Sequence, residues 1–374
     1  MKHISVLIKP ASSLCNLRCK YCFYANVSSI REVRSYGRMK AETMKTMIQQ
    51  IFADLEAGDH LTLAFQGGEP TLAGLSYYRQ LVSAVQSQDK QVVLHYAIQT
   101  NGTLLNDQWC RFLKQNNFLV GLSIDGSSSH HDLNRLDTKG QGTFQRVLAA
   151  KKCLDTYGIE YNVLCVLTNQ LAYEAETVFQ FIKENQIRYV QLIPCLDDLD
   201  AAARSNYGLT PQGFATFYQQ LLTLWLQELE QGNYLSIKLF DDLIQLLVNQ
   251  QLTACGILGN CQVQYVIEAD GSVYPCDFYV LDEYRLGYIQ EKTLRELFEQ
   301  GISRQFICEK RELSAACQSC PFFQMCHGGC KRMKDAVYTD EEGFCGYQQL
   351  LYAFLPEVNR IIEALKQVEK EQQV

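Results

Sequence analysis

A strand pattern followed by a helix pattern recurs six times over about the first 230 residues, and this repetition restricts the chain more than any other feature. The strand-like runs are His3–Pro10, Leu61–Phe65, Val92–Gln99, Leu119–Ile124, Tyr161–Leu167 and Tyr189–Ile193. Each is rich in Val, Ile, Leu or aromatic residues and is bounded by turn residues. Helical spacing fills the intervals, over Ala41–Glu56, Tyr77–Gln86, Asp107–Gln115, Thr143–Tyr157, Tyr173–Glu184 and Pro211–Glu230. Six β-α units in series imply a parallel sheet with right-handed crossovers. Six is short of the eight that close a full barrel. The expected fold class is therefore α/β, a partial (β/α)6 TIM-like barrel with a lateral opening.

In such sheets the active residues gather at the C-terminal ends of the strands. The polar insertions fall there: Gln66–Pro70, Gln99–Gly102, Ser123–Gly126 and Pro194–Asp198, together with a cysteine triad after the first strand. After about residue 235 the regular alternation stops and cysteines crowd in, which divides the chain into 1–235 and a Cys-rich 236–374. Within the second part "ADGSVYPCDFYV" reads as a hairpin turning at Asp270-Gly271. Gln348–Gln367 has the apolar spacing of a single capping helix.

The chain has 374 residues and a net charge of −7, from 34 basic and 41 acidic side chains. That balance argues against nucleic acid as a partner, because such binding needs a basic face. No apolar stretch approaches the ~20 residues of a membrane span, and no secretory leader stands out before Lys9 and Pro10. A cytoplasmic protein with no membrane association is expected. Sixteen cysteines are many for such a chain. Secreted disulfide scaffolds are cysteine-rich too, but they are short and carry a leader. Eleven of the sixteen fall into ligand-like frames. Cys110, Cys153, Cys165, Cys195 and Cys308 stand alone and read as small buried apolar residues.

Cys15, Cys19 and Cys22 form the frame Cys-x3-Cys-x2-Cys and are followed by Phe23 and Tyr24. Three thiolates hold three corners of a [4Fe–4S] cubane, which normally takes four ligands. One iron is left open for a small molecule. A structural zinc instead wants a closed set of four ligands, and no His lies between Lys9 and His60 to complete one. Further on, Cys255, Cys261, Cys276, Cys317, Cys320, Cys326, Cys330 and Cys345 supply eight thiols, enough for two fully ligated clusters or for two structural zincs. Asp277 directly follows Cys276. A carboxylate there is placed to accept a substrate proton while a cluster accepts an electron, and desolvation by Phe278 and Tyr279 would raise its basicity.

The triad resembles the signature of the radical S-adenosylmethionine (radical SAM) enzymes, in which the open iron chelates SAM. The resemblance narrows along "IKPASSLCNLRCKYCFY", "FQGGEPTLAG", "QTNGTLL", "FLVGLSIDG", "HDLNR", "ADGSVYPCDFYVLDEYRLG" and "CQSCPFFQMCHGGC". Together these segments resemble the anaerobic sulfatase-maturating enzymes, a SPASM-domain subgroup of the radical SAM superfamily, over nearly the whole chain. The resemblance implies three [4Fe–4S] clusters. Cys15, Cys19 and Cys22 would hold the SAM-binding cluster. Cys255, Cys261, Cys276 and Cys330 would hold one auxiliary cluster, and Cys317, Cys320, Cys326 and Cys345 the other. Tyr21, Gly68, Glu69, Ser123, Arg135 and Leu196 would contact SAM, with Glu69 supplying negative charge to its amino group.

The implied activity is oxidation of an active-site Cys or Ser of a sulfatase to Cα-formylglycine, with Asp277 as the base. The implied substrate is an unfolded or nascent sulfatase polypeptide. The implied electron source is a low-potential donor such as flavodoxin or ferredoxin. Two other readings stand beside this one. A SPASM maturase that crosslinks a peptide shares all eleven ligands, and a non-catalytic zinc scaffold uses the same thiols.

Overall fold

The computed structural model describes residues 1–251, 255–256, 259–309 and 313–372. The described chain divides into two compact units, each assembled from separated segments. The first comprises Met1–Ser123, Arg135–Tyr161 and Gln262–Glu309; the second comprises Ile124–Asn134, Asn162–Cys261 and Lys310–Val374.

In chain order the strands are β1 (His3–Ile8), β2 (Leu17–Cys19), β3 (His60–Phe65), β4 (Val93–Thr100), β5 (Phe118–Ser123), β6 (Arg135–Asp137), β7 (Tyr161–Leu167), β8 (Tyr189–Pro194), β9 (Ser236–Ile237), β10 (Val266–Ile267), β11 (Ser272–Tyr274) and β12 (Gly287–Tyr288). The helices up to residue 249 are α1 (Phe23–Ser29), α2 (Ala41–Ala53), α3 (Leu75–Gln86), α4 (Asp107–Gln115), α5 (Ser128–Asn134), α6 (Phe144–Thr156), α7 (Ala175–Glu184), α8 (Pro211–Glu230) and α9 (Lys238–Asn249). The six expected strands are all present, with ends displaced by at most two residues.

In the first unit the strands run in the order β12-β11-β10-β1-β3-β4-β5. β1, β3, β4 and β5 are mutually parallel, in register from His3↔His60 to Ile8↔Phe65 and from His60↔Val93 to Phe65↔Ile98. Along β3 every second residue is buried, so one face of the strand carries the packing. Val6, Ile8, Leu61, Leu63 and Phe65 are fully buried. α4 turns Trp109, Cys110, Phe112 and Leu113 inward. Its first turn is capped by Asn106, whose side chain accepts from the backbone N–H groups of Gln108 (3.0 Å) and Trp109 (3.1 Å).

The hairpin expected around Asp270-Gly271 is present, with β10 and β11 antiparallel through Val266↔Tyr274 and Ile267↔Val273. β10 also lies parallel on β1, pairing Leu7↔Val266 and Ile8↔Ile267. Two residues of ladder thus carry the segment after residue 262 to the N-terminal strand.

In the second unit β7, β8 and β9 are parallel neighbours. β9 and α9 form one further short strand–helix pair beyond residue 235, where the sequence pattern had suggested that alternation stops. α8 buries Phe214, Phe217, Tyr218, Leu221, Trp225 and Leu229 along one stripe. The single C-terminal helix expected over Gln348–Gln367 is instead two, Gly346–Phe354 and Val358–Gln372, joined by a 3-10 turn at Leu355–Glu357. Pro356 is the cause: it has no N–H to donate and its ring clashes with the preceding turn. Among the described residues no helix is long and apolar enough to cross a membrane.

Candidate active site

Three of the loops expected to converge, together with Ser123 of a fourth, are brought together within the first unit. The loop before Cys15 docks by backbone alone on the Gly67–Pro70 strap. Gly68 N–H donates to the Ser12 carbonyl (2.9 Å), and Glu69 N–H donates to the Leu14 carbonyl (2.7 Å). A Cβ on Gly68 would lie 2.1 Å from that Leu14 oxygen, so only glycine permits the approach.

Glu69 ties the strap to the loop after β4. Its Oε1 accepts from Thr71 N–H (3.0 Å), Thr71 Oγ1 (2.5 Å) and Thr100 Oγ1 (2.8 Å), and its Oε2 accepts from Asn101 N–H (2.8 Å). The carboxyl is 1% exposed, and burial pushes its pKa up while these hydrogen bonds pull it back. Its lone pairs serve the loops, so the strap has backbone to offer to a ligand's amino group.

Asn101 in turn donates to Asn16 Oδ1 (2.9 Å), inside the triad. Arg18 turns back on the same loop and donates to the carbonyls of Cys15 (2.8 Å) and Leu17 (2.7 Å). β2 and β6 pair antiparallel and set Cys19 opposite Arg135, whose guanidinium stands 5.6 Å over the Tyr21 ring. Ser123 ends β5 and accepts from Gln99 Nε2 (3.0 Å). Leu196 is a buried residue of the second unit.

Cys15, Cys19 and Cys22 line one cavity of about 830 Å³ together with Arg18, Tyr24 and Gly68. That size is typical of cofactor sites. Burial pushes the Cys15 thiol up to about 11. Burial also raises Cys22, against the opposing charges of Arg135 and Lys9. Binding of a metal would release the protons of such thiols. Three soft donors on one wall of a roomy cavity suit a three-cornered cluster with space beside it for its ligand. Among the described residues, no three His, Cys, Asp or Glu side chains close round a point that a single ion would fill.

Asp277 lies in the same unit and is 8% exposed. The Tyr24 hydroxyl donates to its Oδ2 (2.5 Å), and Gln66 Nε2 donates to Tyr24 Oη (2.5 Å) and, more weakly, to Oδ2 (3.3 Å). Desolvation, then the Asp277 charge, pushes the Tyr24 pKa well above its ordinary value, so this hydroxyl stays a donor. The Lys9 ammonium sits 2.9 Å from Oδ1 and 4.5 Å over the Tyr24 ring. Oδ1 is buried, and Lys9 is its ion-pair partner. Sequence reasoning expected a carboxylate among aromatic rings. Phe278 does meet Phe23, with centroids 5.1 Å apart. The buried cation, the tyrosine and the amide were missed as its partners, because nothing in the sequence pairs the segments of Lys9, Tyr24 and Gln66 with Asp277.

In the second unit Cys317, Cys320, Cys326 and Cys345 converge. Burial raises Cys317, Cys326 and, to about 11, Cys345, and the neighbouring thiols of the set add to each shift. Gln348 Nε2 donates to Cys320 Sγ (3.2 Å), and Gln348 N–H donates to Cys345 Sγ (3.4 Å). The turn at Cys255-Gly256 lies against Cys330: a Cβ on Gly256 would stand 2.8 Å from the Cys330 Cβ. Cys261 belongs to the second unit and Cys276 to the first.

Residues 10–182 match the Radical SAM superfamily, and residues 255–321 match the SPASM iron-sulfur cluster-binding domain. A cysteine-type anaerobic sulfatase-maturating enzyme of Clostridium novyi is 42% identical over 92% of this chain and 93% of its own. The chain belongs to the anaerobic sulfatase-maturating enzymes. A serine-type member from Klebsiella aerogenes is 30% identical over 91% of this chain and 82% of its own. The solved structure of native anSMEcpe with bound AdoMet and Cp18Cys peptide superposes with a TM-score of 0.88 at 38% identity, covering 97% of this chain and 99% of that one. The radical SAM TIM-like α/β fold with a C-terminal SPASM domain is thus the fold of this family member. Its cofactors are SAM and [4Fe–4S] clusters, auxiliary ones included.

Proposed function

We propose that this maturase oxidises the active-site cysteine of a sulfatase to Cα-formylglycine, within a radical SAM part at 1–235 and an auxiliary-cluster part at 236–374. The cysteine preference is supported by 42% identity to cysteine-type relatives against 27–30% to serine-type ones. The peptide-crosslinking alternative is not favoured by that kinship. The observation that carries the mechanism is the buried carboxylate of Asp277, with Oδ2 held by Tyr24 and Oδ1 ion-paired to Lys9, in the unit that contains the cysteine triad.

SAM and the [4Fe–4S] clusters supply, when bound, hydrogen-atom abstraction from the substrate Cβ and removal of the second electron. Asp277 Oδ1 takes the thiol proton. Tyr24 and Gln66 fix Oδ2, so Oδ1 is the oxygen left to react. Lys9 stands against Oδ1 as its buried ion-pair partner and holds the carboxylate in place. A substrate cysteine that has lost a hydrogen atom, an electron and a proton is a thioaldehyde, which water hydrolyses to the aldehyde.

Cys15, Cys19 and Cys22 are assigned to the SAM-binding cluster, and Cys317, Cys320, Cys326 and Cys345 to one auxiliary cluster. The assignment of Cys255, Cys261, Cys276 and Cys330 to the other rests on the family resemblance. Gly68 and Glu69 would contribute through the strap's backbone, and Arg135 through its charge, with Tyr21, Ser123 and Leu196 as the further SAM contacts. The substrate would be an unfolded or nascent chain in the cytoplasm, and a flavodoxin or ferredoxin would be the donor.

The test is anaerobic turnover of paired Cys and Ser sulfatase-motif peptides with cluster-loaded enzyme, read by peptide mass and by SAM cleavage. The Cys peptide is expected to become the aldehyde. Asp277→Asn is expected to keep SAM cleavage and to lose aldehyde formation by about 10²–10⁴-fold, the usual contribution of a positioned base. A crosslinked or unaltered Cys peptide would refute the assignment, and full aldehyde yield from Asp277→Asn would remove the base.

A further inference from the structure

Two of the cysteines that stand alone in the sequence meet in the fold. Cys110 on α4 and Cys153 on α6 are 43 residues apart, and the Cys110 thiol donates to Cys153 Sγ across 2.9 Å. Cys153 Sγ in turn faces Asp107 Oδ1 at 3.8 Å. A carboxylate, a half-buried thiol and a fully buried thiol thus stand in line, all within the first unit.

We propose that Cys110 and Cys153 form a thiol-oxidation site that closes reversibly to an intramolecular disulfide on reaction with a low-molecular-weight disulfide. The inference is independent of the maturase chemistry and of the cluster ligands.

The geometry sets the order of events. Cys153 is the thiol that solvent reaches, so it is the one that meets the external disulfide first. Its sulfur attacks the external disulfide, forms a mixed disulfide and releases one thiol. Cys110 then attacks Cys153 Sγ, forms the internal bond and releases the second. In total one disulfide is reduced to two thiols, and two protein thiols are oxidised to one disulfide, their two protons leaving on the products. Burial and the neighbouring sulfur push Cys110 up to about 12, so it waits as a thiol until the mixed disulfide forms beside it. The sulfurs need less than about 1 Å of approach to reach the ~2.05 Å of a covalent bond.

The oxidised form would tie α4 to α6. α6 also backs the Asn101–Gly102 loop, since a Cβ on Gly102 would stand 3.2 Å from Ala150. The bond would therefore stiffen the wall behind the loop that receives Glu69.

The experiment treats anaerobic, cluster-loaded protein with oxidised glutathione, quenches with acid, alkylates after unfolding and maps the peptides. The expected product links Cys110 to Cys153, is two hydrogens lighter, and is reversed by dithiothreitol. Cys110→Ala should trap a glutathione adduct on Cys153. Recovery of both cysteines fully alkylated, with adducts only on other thiols, would overturn the proposal. So would a Cys110→Ala protein that carries no adduct at Cys153.

Discussion

The two thiol sets described within single units are built in opposite ways. Around Cys15 the shape of the loop is set by groups that are not thiols: the backbone bonds of Gly68 and Glu69, the Asn16–Asn101 pair and the Arg18 clamp. Around Cys317 three of the supporting elements are helices of four residues each, Ala315–Gln318, Phe323–Cys326 and Lys334–Val337, and only Cys345 is held by a longer one, as the cap of Gly346–Phe354. Helices that short have no stability of their own, and the thiols they gather repel one another once ionised. The first site is thus preorganised before any metal arrives, as a site that admits and releases a small molecule must be. The second takes its order from the metal it holds.

The sharpest way to break this comparison is to take the metal away. Chelation under anaerobic conditions should strip amide protection from residues 315–345 while β1, β3 and β4 keep theirs, read by hydrogen exchange. Cys320→Ala should lower the iron content by one cluster and loosen the same segment, because ligation there is coupled to folding. Equal protection of both regions in the metal-free protein would mean that the short helices hold themselves, and the contrast would fall.

A smaller effect probes the preorganised side. The side chains of Lys9 and Asp277 are 4% and 11% exposed, and removing one member of such a pair leaves a buried charge alone. Lys9→Met is expected to destabilise the protein by about 3–5 kcal/mol, seen as a lower denaturation midpoint. Lys9→Met combined with Asp277→Asn should be less destabilised than Lys9→Met alone, since the double variant buries no charge. If the two losses simply add, the pair is not the electrostatic unit described here.

The repeating frame was readable because strands with a packed face leave short apolar-rich runs and the helices between them leave amphipathic stripes, as in β3 and α4. Asp277 was visible as a candidate because it abuts Cys276. Its partners were not, since Tyr24 and Gln66 lie 253 and 211 residues away and reach it only through the β10–β1 pairing. That ladder is two residues long and has no periodicity to detect. Cys110 and Cys153 escaped for the same reason. Glu69 was read as charge for a ligand; that Thr71, Thr100 and Asn101 also donate to its oxygens was not read, because nothing in the sequence pairs the strap with the loop after β4. The C-terminal helix was over-extended because the apolar spacing stays in phase across Pro356.

The finest test of the comparison is one methyl group. Gly68 has a negative φ that any residue could adopt, so Gly68→Ala adds no backbone strain, only a Cβ placed 2.1 Å from the Leu14 carbonyl oxygen. Backbone on both sides cannot swing aside, so the loop before Cys15 must retreat from the strap. Overpacking of this kind costs about 1–3 kcal/mol, a modest loss that leaves the sheet folded. The specific consequence should appear at the triad: weaker iron retention by Cys15, Cys19 and Cys22 and weaker SAM binding, with the iron bound by Cys317, Cys320, Cys326 and Cys345 unaffected. Site-resolved iron spectroscopy of the variant separates the two. Uniform loss across all clusters would show general destabilisation, whereas loss confined to the triad would show that its geometry is dictated by the strap.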